Sequence, residues 1–294
     1  MIKKARYTWK MQGELLSYYA SDGVRLNGFL ARSGTANRQA IVNVFGMGGD
    51  FFTSSRYPAL CRALKGSGTD LFLANNRGMS MAARFGRRRG ERILRGTSAE
   101  RFDECIFDIK GAIDLLSSMG YRAVILQGHS TGAQKVIYYM RKTADRRVKG
   151  IVLLGPGDDY NLARRKLGRR FNKAVMIARA MVSHRKGHLA MPHWSSEYSA
   201  SRFLSYADLK NVEARIFDYD GPMREFSGIK VPVLAVFGSK EQYALKPVRK
   251  YLEILAQKTK SKSFAGAIVK GGDHSFCGRE DDAANLMAKW LSRI

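Results

Sequence analysis

Cysteine is scarce in this 294-residue chain: Cys61, Cys105 and Cys277 are the only three, and no two form a Cys-x-x-Cys pair. So few thiols exclude a disulfide-stapled scaffold and give no support to a metal site. They read as buried free thiols in a reducing cytoplasm. Acidic residues are also few, 25 against 51 Lys plus Arg, for a formal net charge of +26. A field of that sign draws anions of any kind: nucleic acid, acidic lipid surfaces, or carboxylate and phosphate substrates. A compositional bias of the source would produce the same number, so charge alone names no partner. No apolar run reaches the length of a bilayer span. The basic Met1–Tyr7 segment is followed by no apolar run, so no signal peptide is expected. Internal repeats, low-complexity linkers, aromatic-interleaved RNA motifs and helix-turn-helix patterns are all lacking.

What the sequence does contain is alternation. Leu15–Tyr19 and Val24–Leu30 read as two strands joined at Ser21-Asp22-Gly23, a strong hairpin signal. Ala40–Phe45 is a buried-strand pattern ending in Gly46-Met47-Gly48-Gly49, then a helix fits Ser55–Lys65 and a strand fits Leu71–Ala74. Between Ala99 and Met119, Phe102, Ile106, Ile109, Ile113 and Leu116 recur every three or four positions, which predicts an amphipathic helix closed by Gly120. Strands follow at Ala123–Leu126 and Gly150–Leu154, with a helix over Ala133–Ala144 between them. The pattern resumes at Val231–Gly238, with a helix over Lys246–Ala256, a strand at Ala265–Val269 and a last helix over Glu280–Ser292. Such regular alternation predicts an α/β fold with a mostly parallel, doubly wound sheet. Residues 157–228 break it with basic, helical and loop-like sequence. They are expected to form a cap or lid inserted between core segments 1–156 and 229–294, over the sheet's carboxyl edge, where open α/β sheets bind ligands.

The chemistry centres on Gly128-His129-Ser130-Thr131-Gly132, a Gly-x-Ser-x-Gly placed between a strand and a helix. That context makes Ser130 a candidate nucleophile, with Gly128 and Gly132 leaving room for a sharp turn. A serine hydroxyl needs a base, and the base an orienting acid. His274 stands after the last strand in the turn Gly271-Gly272-Asp273-His274 and is the candidate base. Glu241, in the strand-end turn Gly238-Ser239-Lys240-Glu241, is preferred as the acid; Asp158, after the preceding strand, is the alternative. Asp273 adjoins His274 and is badly placed to reach its ring. His129 is expected to point away from the base position. His184, His188 and His193 lack zinc-site spacing, and no metal or cofactor is expected. The amides of Thr131 and Met47 are the candidate oxyanion donors.

These residues carry a resemblance. From the Ser21-Asp22-Gly23 hairpin to the final helix the chain resembles the α/β-hydrolase superfamily, whose core is a mostly parallel eight-stranded sheet. Gly128–Gln134 and Glu241-Gln242-Tyr243 are similar to the branch containing fungal siderophore (fusarinine-type) esterases. Met191-Pro192 and Ser201–Ser205 are similar more loosely. The resemblance implies a triad of Ser130, an acid and His274, and hydrolysis of a small-molecule ester. Two positions depart from the branch: Glu241 stands where it usually has Asp, and Phe45 where a histidine is common. The first leaves the acid open between Glu241 and Asp158. Arg77, Arg84, Arg87-Arg88-Arg89 and the arginines of 157–228 would favour an anionic substrate or an anionic docking surface, or form a solvated basic face. The competing reading is a hydrolase scaffold that binds nucleic acid or membrane through that surface.

Overall fold

Asp22 and Gly23 turn the chain between β1 (Glu14–Tyr19) and β2 (Arg25–Ala31), which pair antiparallel. Gly23, at φ 86°, supplies the left-handed residue this turn needs. The computed structural model describes residues 10–35, 39–52, 54–191 and 195–294. Next come β3 (Gln39–Val44), α1 (Arg56–Ala63), β4 (Thr69–Ala74), and a small antiparallel hairpin, β5 (Ala83–Gly86) with β6 (Arg92–Arg95). Then follow α2 (Cys105–Ser118), β7 (Ala123–His129), α3 (Thr131–Thr143) and β8 (Val148–Leu154).

After β8 the chain forms α4 (Asp159–Leu167), α5 (Phe171–Ser183), β9 (Ala190–Met191), β10 (Ser195–Ser199), α6 (Ala200–Ala207), α7 (Val212–Ile216) and α8 (Arg224–Ser227). It returns through β11 (Val233–Gly238), α9 (Val248–Lys258), β12 (Phe264–Val269) and α10 (Glu280–Leu291). The main sheet has eight strands in the order β1-β2-β4-β3-β7-β8-β11-β12. Pairing is parallel from β4 to β12, and β1 and β2 run antiparallel at one edge. This is the α/β fold that the alternation predicts.

Strand alternation divides the core into two layers. Val42 and Leu126 face one cluster with α2, α3 and α9; Ile41 and Ile125 face the other, with α1 and α10. A third, smaller cluster joins α5 and α6 through Phe171, Ala174, Phe203 and Leu204. Ile216, Phe217 and Phe226, from α7, α8 and the segment joining them, belong instead to the first sheet-side layer.

Some details differ from the expectations. The β5–β6 hairpin is short and basic and carries no strong apolar alternation. Helix α2 starts at Cys105 rather than Ala99, after 3₁₀ turns at Thr97–Ala99 and Phe102–Glu104. The cause is Glu100, which is extended and buried. Its carboxylate pairs with Lys135 of α3 and lies 3.8 Å from Arg202 of α6, and Arg202 is bidentate to Glu213 of α7 at 2.5 and 2.9 Å. A buried ion network therefore ties the helix behind Ser130 to α6 and α7. Pro192 and His193 lie outside the described residues.

Arg77 corrects a sequence expectation. It is 1% exposed and holds three carboxylates: Asp108 at 2.6 Å, Asp22 at 2.9 Å and Glu104 at 3.2 Å. It cannot meet an anionic ligand, because its donors are spent inside the protein. Arg77→Met strands those carboxylates, and removing one partner of a buried pair costs about 3–5 kcal/mol. The urea midpoint is expected to fall accordingly; an unchanged midpoint would show that the cluster does not hold the fold.

Candidate active site

The turn at Ser130 is built from close backbone approach. Ser130 sits at φ 56°, ψ −131°, and its amide donates to Leu154 O at 2.9 Å. A non-glycine residue held at positive φ carries strain of about 1–3 kcal/mol, which only its surroundings can impose. A Cβ on Gly132 would lie 2.1 Å from Val44 O, and one on Gly128 would lie 2.3 Å from Gly132 O. Neither position admits a side chain. The loop after β3 presses on the same turn: a Cβ on Gly46 would be 2.8 Å from His129 O and 3.3 Å from the Thr131 amide nitrogen. Asn76 Nδ2 donates to Phe45 O at 2.9 Å and pins this loop. Met47 and Thr131 both line the cavity that holds Ser130.

His274 follows β12 in the same cavity. Its Nδ1 is 2.9 Å from both carboxylate oxygens of Glu241, and both side chains are nearly buried. A carboxylate facing Nδ1 requires a proton there, which leaves Nε2 as the ring's lone-pair nitrogen. The His274 amide donates to Gln242 Oε1 at 3.0 Å, and the Tyr243 ring stands edge-on to the imidazole at 4.8 Å. Gly155, at φ 54°, leaves the space the pair occupies: a Cβ there would be 3.0 Å from His274 Nδ1 and 3.2 Å from Glu241 Oε2. A glycine directly after a parallel strand was the available signal for it.

Asp158 lines the cavity but is engaged elsewhere. Oδ1 accepts from the Asn161 amide at 3.0 Å as the N-cap of α4, and Oδ2 accepts from Asn161 Nδ2 at 3.0 Å. Burial pushes its carboxyl up. Asp273 Oδ1 accepts the amides of Ser275 and Cys277, each at 2.9 Å. His129 Nε2 is 2.9 Å from Arg56 Nη1 and 2.8 Å from His274 O. Burial first, and then the Arg56 charge, hold His129 well below the ordinary histidine range, so its ring is neutral. Among the described residues no group of three His, Cys, Asp or Glu could hold a metal. Cys105 is buried and Cys61 half-buried, but Cys277 is exposed, contrary to the expectation of three buried thiols.

The cavity measures about 1140 Å³ and is walled by α4 through Asp159, Leu162 and Lys166, and by Tyr198, Phe203 and Tyr206. Asp159 is a site residue that the sequence reading missed; its only signal was adjacency to Asp158. Its Oδ2 accepts from Gln134 Nε2 at 2.8 Å. Burial, followed by the Glu213 carboxylate, pushes Asp159 up to about 7.

The family model described as "Protein of unknown function (DUF1749)" matches residues 94–293. No curated protein matches the chain. Among solved structures, the siderophore hydrolase EstB from Aspergillus fumigatus is 18% identical, with 98% of this chain and 99% of that one covered at a TM-score of 0.71. Est1E from Butyrivibrio proteoclasticus, with ferulic acid bound, is 15% identical, covering 94% and 98% at a TM-score of 0.67. A soluble variant of monoglyceride lipase from Saccharomyces cerevisiae is 15% identical, covering 98% and 99%, also at 0.67. At these identities the likeness is one of fold, and the chain has the α/β-hydrolase fold. No helix among the described residues is long and apolar enough to cross a membrane.

Asp159 makes the site's stability depend on pH. Its folded-state value is raised, so its contribution is complete below the unfolded carboxyl value of about 4 and is lost as pH rises through about 7. Asp159→Asn removes this titration. Thermal unfolding should therefore fall less steeply in the variant than in wild type between about pH 5 and about pH 8. Equal slopes would show that Asp159 ionises freely.

Proposed function

The chain belongs to the DUF1749 family, and we propose that it is a serine hydrolase that cleaves carboxylic esters through an acyl-enzyme on Ser130. The observation that carries this reading is the His274 Nδ1–Glu241 pair, at 2.9 Å to both oxygens, whose imidazole shares one cavity with a positive-φ serine. Ser130 Oγ attacks the ester carbonyl while His274 Nε2 takes its proton. Glu241 fixes the ring's tautomer and offsets the imidazolium charge that forms. The amides of Met47 and Thr131 receive the negative charge on the carbonyl oxygen. His274 then returns its proton to the leaving alcohol, and water, deprotonated by the same ring, cleaves the acyl-enzyme. Thioesters, lactones and amides fit the same steps.

The cavity walls support a selecting role for residues 157–228 as a cap, since α4 and α6 contribute Leu162, Phe203 and Tyr206 to them. Names of fold neighbours such as "siderophore hydrolase" and "monoglyceride lipase" support hydrolysis as the reaction class. The hydrogen bonds of Asp158 to Asn161 favour a capping role for it and leave Glu241 as the orienting acid.

A fluorophosphonate should label wild type and not Ser130→Ala. Hydrolysis of p-nitrophenyl esters should be lost in Ser130→Ala and His274→Ala. Glu241→Gln should lower kcat by about 10³–10⁴-fold. Asp158→Asn should instead leave kcat near the wild-type value, because asparagine caps a helix about as well as aspartate and the residue has no part in the triad. Failure of wild type both to label and to turn over any activated ester would refute the reading. A greater kcat loss in Asp158→Asn than in Glu241→Gln would reverse the acid assignment.

A further inference from the structure

Arg56 opens α1 in the wall of the cavity that holds Ser130. Its guanidinium lies 5.7 Å over the Tyr57 ring, and Nη1 is 2.9 Å from His129 Nε2. His129 is neutral, so this neighbour leaves the charge of Arg56 uncompensated. Among the described residues Arg56 forms no ion pair, whereas Arg77, Arg95, Arg147 and Arg202 each hold a carboxylate. Its Nε is buried and has no hydrogen-bond partner there. That N–H has lost water without gaining an acceptor, and the half-buried charge lacks a counter-ion, so an arriving anion would be favoured there.

The carboxylates that line the same cavity do not meet this need. Glu280 accepts from the Ser55 hydroxyl at 2.5 Å, Asp159 from Gln134 at 2.8 Å and Asp50 from the Phe52 amide at 3.0 Å. Asp158 caps α4. Lys166, the other cavity cation, is exposed and stands 5.8 Å over the Tyr243 ring. Arg56 is thus a half-buried cation in the cavity wall with no carboxylate partner among the described residues. We propose that Arg56 binds a carboxylate carried by the substrate, so that the ester this protein cleaves bears a free carboxylate beside its scissile bond. A planar fork matches that group in two directions at once, which an ammonium cannot do. The cavity of about 1140 Å³ holds such a molecule together with an alcohol portion of some size. This assignment rests on the ester-hydrolase reading for its substrate, but the binding step stands apart from turnover.

The test compares mono-p-nitrophenyl glutarate and 4-carboxyphenyl valerate with the neutral p-nitrophenyl valerate. Wild type should prefer at least one carboxylate-bearing ester by about tenfold or more in kcat/KM. Arg56→Gln should erase that preference through KM, and Arg56→Lys should restore part of it. The absence of a preference in wild type, or an equal loss toward all three esters in Arg56→Gln, would overturn the proposal; the second result would mean that Arg56 only supports His129. Calorimetry separates the two readings. Glutarate should bind the Ser130→Ala protein, and adding Arg56→Gln should weaken that binding by about tenfold or more, because glutamine offers no charged donor to the carboxylate. Arg56-dependent binding without turnover of any ester would sink the hydrolase reading and keep the carboxylate site; glutarate binding that ignores Arg56 would sink the site.

Discussion

The carbonyl oxygen of Val44 lies 2.1 Å from where a Cβ on residue 132 would be, and the carbonyl of Gly132 lies nearly as close to the corresponding point on residue 128. Two parallel strands and the helix that follows them are thereby drawn into direct backbone contact. That approach bends the chain at Ser130 into a conformation serine does not choose for itself, and it sets the loop of Gly46 and Met47 against the same turn. Opposite them, His274 and Glu241 are admitted by the missing side chain of Gly155. The site is made as much by omitted carbon atoms as by functional groups.

Electrostatics hold the remainder. Five of the 25 carboxylates are spent inside the protein, three on Arg77 and two in the Lys135–Glu100–Arg202–Glu213 network. The excess positive charge is left to the surface, where Arg84, Arg88 and Arg89 are exposed in the β5–β6 hairpin. Buried pairs of this kind contribute little net stability against an apolar replacement, but they penalise any arrangement that separates them. They act as specifiers of position.

The sheet is legible in the sequence because buried parallel strands are written as unbroken apolar runs, as in Val233–Phe237, and because glycine marks their ends. The serine turn and the histidine turn were readable for the same reason, since each puts a polar residue among glycines at a strand's carboxyl end. The choice between Glu241 and Asp158 was open in sequence, since both follow strands; only in three dimensions is one beside His274 and the other at the start of α4. Arg77, Arg56 and Asp159 were misread or unseen. Nothing local distinguishes an arginine that will meet three carboxylates from one that will meet none, because partners such as Asp22 and Asp108 come from distant segments.

Lys135 and Arg202 are both fully buried, one behind the serine and the other in the helix that bears Phe203 and Tyr206 over the cavity. Lifting that helix away as a body would pull Arg202 from its place beside Glu100, breaking a link that reaches the serine's own helix. Floor and wall are therefore one casting. The part of the wall that α6 supplies is tied to the floor by the fold itself, which lowers the ordering left for a guest to impose there.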